Sequence, residues 1–505
     1  MAGISSTTQG WLPVWLLGLP LSPVTHEESE SAVLAWARKP KGSCQFVATS
    51  NVDFLVKALT WSPGGIRHPE LVDVLRTAAM NTADGMPLVW AARLLGGDIP
   101  ARVSGSDLVP SLARSAAKEG LPVFLLGGAE AVTARAAEIL LEQNPGLLIA
   151  GVDCPFVFTE GGKIAFEAEK DRAICERINA SGARILLIGF GNPKQEMWFQ
   201  RNSYRLQPGV ALGVGGTFNF VAGEISRAPE WMQRAGLEWV FRFLEEPGRL
   251  WKRYAVGLAK FSCITAPPLI AHLLFGAMAR GNAPHFLKGT FFSGSASVRV
   301  LVLPERLVNA TAEAAHECLE DAVEGAVVLD ASRCRFVDAA GFGMLWRVMQ
   351  EGQGRYLFAP GLAFRALSRL HRATDFLAPF TCHELAALIA RLAERFPAAG
   401  CFVSIEGTPE ETRVTFLGGL TAADLAHINR DDLVKALGNG TVALDLSYCP
   451  RIDGDGLALL MRLRQYAMAR GFRASVKNPT QAVARSIEVA GLAADLLGSG
   501  SSARL

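Results

Sequence analysis

The residues best suited to chemistry in this chain fall between Ala183 and Trp231. An apolar run, Ala183 to Gly189, gives way to Gly189-Phe-Gly-Asn-Pro-Lys-Gln-Glu196, a tight loop carrying one cation, one amide and one carboxylate. A second apolar run, Val210 to Val214, breaks into Gly215-Gly216-Thr217. Short apolar runs ending in glycine read as buried parallel strands that reach their carboxyl edge. The interval between them is one that a crossover helix fills. Open α/β sheets bind ligands at such edges, so a nucleotide or a phosphate is expected here. A nucleotide-binding oxidoreductase is a poor match, because the loop lacks the third spaced glycine and opens no clean helix.

The preceding chain supplies the elements that would position this stretch. Phe46 to Asn51 is a strand ending in polar residues, and an apolar-periodic helix follows from Val52. Asn81-Thr-Ala-Asp84-Gly85 makes a turn, and Arg102-Val-Ser-Gly-Ser-Asp107 carries a cap-like pattern before a helix. Pro122 to Leu126 is a strand stopped by Gly127-Gly128. Strands alternating with helices imply a mostly parallel sheet covered on both faces, an α/β fold of Rossmann-like kind. The apolar amino terminus, Trp11 to Leu21, has no basic leader region and runs into the helix start Thr25-His-Glu-Glu, so it is read as a first strand.

A chain of 505 residues is expected to form two to four domains. The net charge of +2 gives no reason to expect nucleic acid as a partner. The nine cysteines show no CxxC pair and an odd total, which reads as a reduced, cytoplasmic protein without structural zinc. Pro247 to Pro304 holds no Asp or Glu but contains Arg249, Lys252, Arg253, Lys260, Arg280, Lys288 and Arg299. Within it, Phe261 to Ala279 is interrupted by Pro267-Pro268 and is expected to be interfacial or re-entrant rather than a span. The Gly-, Ser- and Ala-rich stretch 276–297 reads as a linker.

The second half repeats itself. Val327-Val-Leu-Asp-Ala-Ser-Arg-Cys-Arg-Phe-Val-Asp338-Ala-Ala-Gly341 aligns without a gap to Val442-Ala-Leu-Asp-Leu-Ser-Tyr-Cys-Pro-Arg-Ile-Asp453-Gly-Asp-Gly456. Two copies of one small α/β unit are expected.

Residues 14–255 resemble the WecG/TagA/CpsF family of bacterial glycosyltransferases (family 26). The matching segments are Thr49-Ser-Asn51, Thr82-Ala-Asp84-Gly85, Arg102 to Asp107, Leu126-Gly-Gly128, Gly189 to Glu196, Gly213-Val-Gly-Gly-Thr-Phe218, Arg227-Ala-Pro229 and Leu237-Glu-Trp239. The resemblance implies an inverting transferase that moves an N-acetylmannosamine-type sugar, or its uronic acid, from UDP to polyprenyl-diphosphate-linked N-acetylglucosamine. It also implies a cytoplasmic enzyme, peripheral on the inner face of the cell membrane, in surface or exopolysaccharide assembly. Homo-oligomerisation is an expectation resting on the resemblance alone. The expected division is a transferase core over 1–235, a basic amphipathic appendage and linker over 236–292, and small domains over 293–397 and 398–505.

That chemistry needs a base for the acceptor hydroxyl, and Asp84 matches the family's position for it. Read locally, an Asp before Gly equally supplies turn chemistry. Departing UDP needs donors or cations, for which Arg102, Lys194, Gln195 and the loops at Gly127-Gly128, Gly189 and Gly215-Gly216 are candidates. Ordinary strand-to-helix turns are the alternative for the glycines. Thr49 and Asn51 either hydrogen-bond substrate hydroxyls or, for Asn51, cap the helix behind it. No Asp-x-Asp occurs before residue 255, so transfer without metal or other cofactor is expected. The family's usual Asp after Gly-Gly-Thr-Phe is Asn219 here, which leaves the donor sugar open. Arg242, Arg249 and Arg253 match positions near the lipid diphosphate and mix with interfacial aromatics, as a membrane surface would require. A solvated helix with core aromatics is the other reading.

The repeats resemble STAS domains, the fold named for sulphate transporters and anti-sigma factor antagonists. Regulatory members are phosphorylated on a Ser before the motif glycine, where this chain has Ala340 and Asp455. Neither copy is expected to be a phospho-switch, and docking of an unidentified protein partner is the implied role. The alternative function is a scaffold with a catalytically reduced core that acts through its STAS pair.

Overall fold

The computed structural model describes residues 11–39, 43–62, 64–155, 159–160, 163–164, 168–225, 228–229, 232, 240–241, 244, 247–278, 287–293, 296–320, 325–397, 399–407, 411–426, 428, 433–434, 437 and 440–497. The chain forms two compact units. Unit 1 is Met1–Met278 together with Val337–Arg347 and Ala366–Thr374; unit 2 is Ala279–Phe336, Val348–Arg365 and Asp375–Leu505.

Unit 1 begins with β1 (Val14–Leu16) and β2 (Leu19–Leu21), paired antiparallel. The amino-terminal run is thus a hairpin and not a first strand of the main sheet. Leu17 and Gly18 turn it with positive φ, and its apolar side chains are fully buried. Helix α1 (His26–Arg38) starts in a complete capping box, with Thr25 accepting from Glu28 N and Glu28 accepting from Thr25 N.

The main sheet holds β3 (Gln45–Ser50), β4 (Met80–Ala83), β5 (Val123–Leu126), β6 (Ile149–Asp153), β7 (Ile185–Ile188) and β8 (Val210–Gly213). Their order is β4-β3-β8-β7-β5-β6, every pair parallel. Helices α2 (Val52–Ala58), α3 (Pro69–Thr77), α4 (Met86–Leu94), α5 (Gly105–Glu119), α6 (Glu130–Gln143), α7 (Ala168–Ala180) and α8 (Lys194–Asn202) connect them, and α9 (Thr217–Val221) follows the last strand. Alternate strand residues feed two cores. Phe46, Ala48, Leu186 and Ala211 face one, while Val47, Leu187, Val210 and Leu212 face the other. A sheet buried on both faces explains why its strands read as continuous apolar runs.

Helix α10 (Pro247–Met278) is continuous through Pro267 and Pro268, so of the two expected forms, interfacial or re-entrant, the re-entrant one does not hold. It packs along α2. Gly257, Phe261, Ile264, Thr265, Pro268 and Ala271 form its buried stripe at helical spacing, which supplies tertiary support across the prolines. Thr265 Oγ1 also donates to the Phe261 carbonyl at 2.8 Å. The opposite face exposes Val256, Leu258, Ile270, Leu273 and Leu274.

Unit 2 is organised by one nine-stranded sheet. The first repeat supplies β9 (Leu287–Ser293), β10 (Ala296–Val302), β11 (Ala326–Asp330), β12 (Arg355–Phe358) and β13 (Thr381–Cys382). Strands β14 (Cys401–Gly407), β15 (Glu411–Gly418), β16 (Thr441–Tyr448) and β17 (Ala474–Lys477) come from the second. The order is β13-β12-β11-β10-β9-β14-β15-β16-β17, so the copies join through their opening hairpins at β9 and β14, antiparallel with Phe292 opposite Val403. The expected linker therefore contains a strand. Its period-2 signal lies in neighbouring phenylalanines, Phe291 buried and Phe292 exposed. Tyr448 of the second copy donates its hydroxyl to Asp330 Oδ2 of the first at 2.5 Å. The repeat helices are α11 (Asn309–Glu320), α12 (Ala339–Gln350), α13 (Leu362–Leu370), α14 (Leu385–Arg395), α15 (Gly454–Ala469) and α16 (Gln481–Val489). The first turns of α12 and the end of α13 belong to unit 1.

Candidate active site

The carboxyl ends of β3, β4 and β8 bring most of the predicted residues to one edge of the sheet. Register places Thr49 beside Thr82 and Ser50 beside Ala83, and the amide of Asp84 donates to Ser50 O at 2.7 Å. Asp84 is half-buried and is followed by Gly85 at φ 143°, a conformation that suits glycine and turns the chain directly into α4. Next to it, Val103 N donates to Ala83 O at 3.0 Å and Thr82 Oγ1 donates to Val103 O at 3.0 Å. The loop that carries Arg102 is thereby stitched along the end of β4. Arg102 Nη2 donates to Asp107 Oδ2 at 2.7 Å, and Ser104 both caps α5 and bonds the same carboxylate oxygen. Arg102 and Asp107 are each partly exposed, so the cation remains within reach of a ligand.

Thr49 is nearly buried and spends its hydroxyl on the Gly213 carbonyl at 2.9 Å, tying β3 to β8. Asn51 caps α2 by accepting from Asp53 N at 3.0 Å. The capping alternative therefore holds for this residue, though it stands at the site's edge.

Below the Gly215 loop lies a buried polar relay. Gln195 Oε1 accepts from Gly215 N at 2.9 Å, and Gln195 Nε2 donates to Glu196 Oε1 at 2.7 Å. Both side chains are essentially inaccessible. A β-carbon on Gly213 would come within 2.7 Å of Gln195 Nε2, so that glycine makes room for the relay. Burial pushes the Glu196 carboxyl up to about 8, against the opposing pull of the Gln195 amide and the Lys57 charge. At neutral pH the group is a neutral acid. Lys57 Nζ itself donates to Asn192 O at 2.9 Å, fastening α2 to the loop before α8. In the sequence nothing singles out Lys57, and Glu196 stands out only as a loop carboxylate. Its signal was a carboxylate next to an amide at a helix start, which does not reveal burial.

The predicted glycines separate into two kinds. Gly127, Gly128 and Gly189 permit close packing: a β-carbon on Gly128 or Gly189 would lie 2.5 Å from Thr133 Oγ1 or the Phe218 ring, and one on Gly127 would strike Phe190. The amides of Gly127 and Gly189 already donate to Asp153 O and Leu126 O, as that of Gly215 does to Gln195. These three amides are engaged within the protein, so a donor to a diphosphate in these loops would have to come from neighbouring groups. Gly216 is exposed and opens onto free space, as does the Cβ position of Gly215. Lys194 and Asn219 stand half-buried at α8 and α9, flanking that loop.

Arg242 lies outside the described residues; Arg249 and Arg253 are on α10, with side chains outside the description. Ala340 is buried in the first turn of α12, whereas Asp455 is exposed in the first turn of α15. In each copy the preceding Asp caps the helix: Gly341 N donates to Asp338 Oδ1 at 2.8 Å and Gly456 N to Asp453 Oδ1 at 3.1 Å. Among the described residues, no three His, Cys, Asp or Glu side chains gather as a metal ion would require.

A carboxylate at a strand end, an arginine stitched beside it and a glycine loop held from below can serve group transfer with a phosphate-bearing leaving group. Comparison with known families agrees. Residues 386–498 match the STAS domain model described as Mlab, STAS domain. Residues 14–270, half of the chain, match the model of the glycosyl transferase WecG/TagA/CpsF family. The chain therefore belongs to the WecG/TagA/CpsF family of glycosyltransferases.

Proposed function

We propose that this glycosyltransferase moves an N-acetylmannosamine-type sugar, or its uronic acid, from UDP to a polyprenyl-diphosphate-linked N-acetylglucosamine, with inversion and without a metal. The observation that carries this reading is the placement of Asp84. It is half-buried, fixed through its amide to Ser50, and bordered by the Arg102 loop. In the proposed step the Asp84 carboxylate takes the acceptor hydroxyl proton while that oxygen bonds the anomeric carbon. The bond to UDP breaks, and the diphosphate leaves with the electron pair towards Arg102 and Lys194. Gln195 and Glu196 hold the Gly215 loop in place and act as positioning residues.

The exposed apolar face of α10 supports a position on the inner membrane surface. Residues 255–277 are long and apolar enough to cross a bilayer, yet one face is committed to α2, which favours lying on the surface. For the second STAS-like copy, an open cavity of about 780 Å³ beside the start of α15, lined by Asp453, Leu457, Arg485 and Val489, suits a protein partner.

The deciding experiment is transfer to a short polyprenyl-diphosphate N-acetylglucosamine in EDTA, for wild type and Asp84→Ala. Product from wild type that falls by about 10²-fold or more in the variant is expected for loss of a general base. Equal turnover by both proteins would remove Asp84 from this role, and no turnover with either donor would reject the substrate assignment.

A further inference from the structure

The second repeat serves as an internal control for the first. The turn after α13 matches the turn after α16: His371 N donates to Leu367 O and Ala373 N to Ser368 O, as Ala490 N does to Ser486 O and Leu492 N to Ile487 O. Both turns pass through one left-handed residue. In the second copy it is Gly491 at φ 73°; in the first it is Arg372 at φ 54°. Glycine takes that conformation freely, and arginine does not. A strained position filled by a large cation points to a task for the side chain.

The contacts show the task. Arg372 is 3% exposed, and its Nη2 donates to Thr60 O at 3.0 Å and Ser62 O at 3.3 Å, with Nε reaching Gly65 O at 3.5 Å. These carbonyls bracket Trp61. The segment is held from the other side as well. Trp15 Nε1 donates to His371 O at 2.9 Å, Ala339 N donates to Leu95 O at 2.9 Å, and Arg76 lies over both Trp15 and Trp346 at 5.1 and 5.7 Å. Trp61 in turn lies 5.9 Å below Lys260 Nζ of α10, and His272 of α10 is near enough to His371 to oppose its protonation. One ring contact therefore runs from the clamped turn to the helix with the exposed apolar face, and His371, next to Arg372, feels the charge of His272 on the same helix.

We infer that Arg372 is a positioning residue for acceptor use: it clamps the Thr60–Gly65 turn and, through Trp61 and Lys260, seats α10 on the transferase unit. The segment Ala366–Thr374, which belongs to unit 1, is thereby part of the enzyme's acceptor side. This rests on the reading of α10 as the membrane-facing, acceptor-side helix.

The test compares full-length wild type, Arg372→Gly, Arg372→Lys and Trp61→Ala. Arg372→Gly keeps the left-handed turn and deletes the cation, while the half-exposed Trp61 can be removed without opening a core. Hydrogen exchange is followed at the amides of Thr60 and Gly65, which donate to Gly65 O and Ser62 O, and across 255–277. Transfer is measured with acceptor in phosphatidylglycerol vesicles. Exchange at both places should rise about tenfold or more in Arg372→Gly. The half-saturating acceptor concentration should rise about fivefold, with the donor value within about twofold. Arg372→Lys should fall between, and Trp61→Ala should loosen 255–277 with a smaller effect on the turn. Unchanged exchange at the turn in Arg372→Gly overturns the clamp, and a loosened turn with unchanged 255–277 overturns its link to α10. Donor and acceptor constants rising together overturn the acceptor-specific role. If wild type transfers no sugar, the functional proposal fails while the exchange measurements still decide the clamp.

Discussion

Glu196→Gln gives the sharpest test of the buried relay. The Glu196 carboxyl rises from an ordinary value of 4.5 to about 8 in the folded chain because burial penalises its charge. The unfolded chain releases this proton near 4.5 and the folded chain holds it, so stability falls as pH rises between the two values and levels off above 8. At pH 7 the gap of about 2.5 units, at 1.36 kcal/mol each, is about 3 kcal/mol. Glutamine is neutral at every pH and its Oε1 can accept from Gln195 Nε2 as Glu196 does. The variant should therefore match wild type near pH 5 and gain on it steadily to pH 8. For a unit of this size, about 3 kcal/mol corresponds to roughly 5 °C or more in the thermal midpoint. The assay is the midpoint difference, variant minus wild type, from pH 5 to 9; the difference cancels other titrating groups. Because the bond to Gly215 survives, turnover at pH 7 should stay within about threefold of wild type. A midpoint difference that does not change with pH would refute the assignment of a neutral, buried acid beneath the glycine loop.

Other perturbations read neighbouring parts of the argument. His371 is fully buried with neither ring nitrogen hydrogen-bonded, and burial lowers it from 6.5 to about 3. Its unfolded form takes a proton below 6.5 and its folded form does not, so stability should fall on acidification, by about 2 kcal/mol from this group at pH 5. His371→Leu should flatten that acid limb in thermal scans, and an unchanged limb would count against it. Gly213→Ala should displace Gln195 and cut turnover by about tenfold or more, whereas Gly216→Ala, which opens onto free space, should stay near wild type. In unit 2, Tyr448→Phe removes the bond to Asp330 and should cost about 1–3 kcal/mol, read as earlier melting of the joined sheet.

Much of unit 1 was legible because its strands are short apolar runs that stop at glycine, and because Thr25, Ser104 and Asn51 announce helix starts. The strand that leads to Asp84 did not follow: Asn81-Thr-Ala-Asp-Gly reads locally as a turn, yet Met80–Ala83 forms β4 beside β3. What stayed hidden depended on contacts far apart in sequence. Pro267-Pro268 reads locally as a break, but packing of Phe261, Ile264 and Ala271 carries α10 through. The burial of Glu196 comes from strand β8 and helix α2, neither of which marks residue 196 itself. The strand at 287–293 is a single hairpin arm whose alternation is masked by paired phenylalanines. Arg372 is the extreme case: its partners are carbonyls some three hundred positions earlier, and no local pattern distinguishes it from an exposed cation.

The two repeats share a backbone and differ where the first enters unit 1, which gives the differences a direction. At the helix start, Ala340 is buried where Asp455 is exposed; at the turn, Arg372 replaces the unstrained Gly491. A charged or phosphorylated group at position 340 would have to be desolvated inside the transferase unit, so alanine suits a surface that is permanently covered. Asp455 and the cavity lined by Asp453, Arg485 and Val489 keep the features of a surface that is not. Two segments of the first copy, Val337–Arg347 and Ala366–Thr374, have become internal structure of unit 1, and the matching start of α15 in the second copy retains the exposed face through which the proposed partner would act.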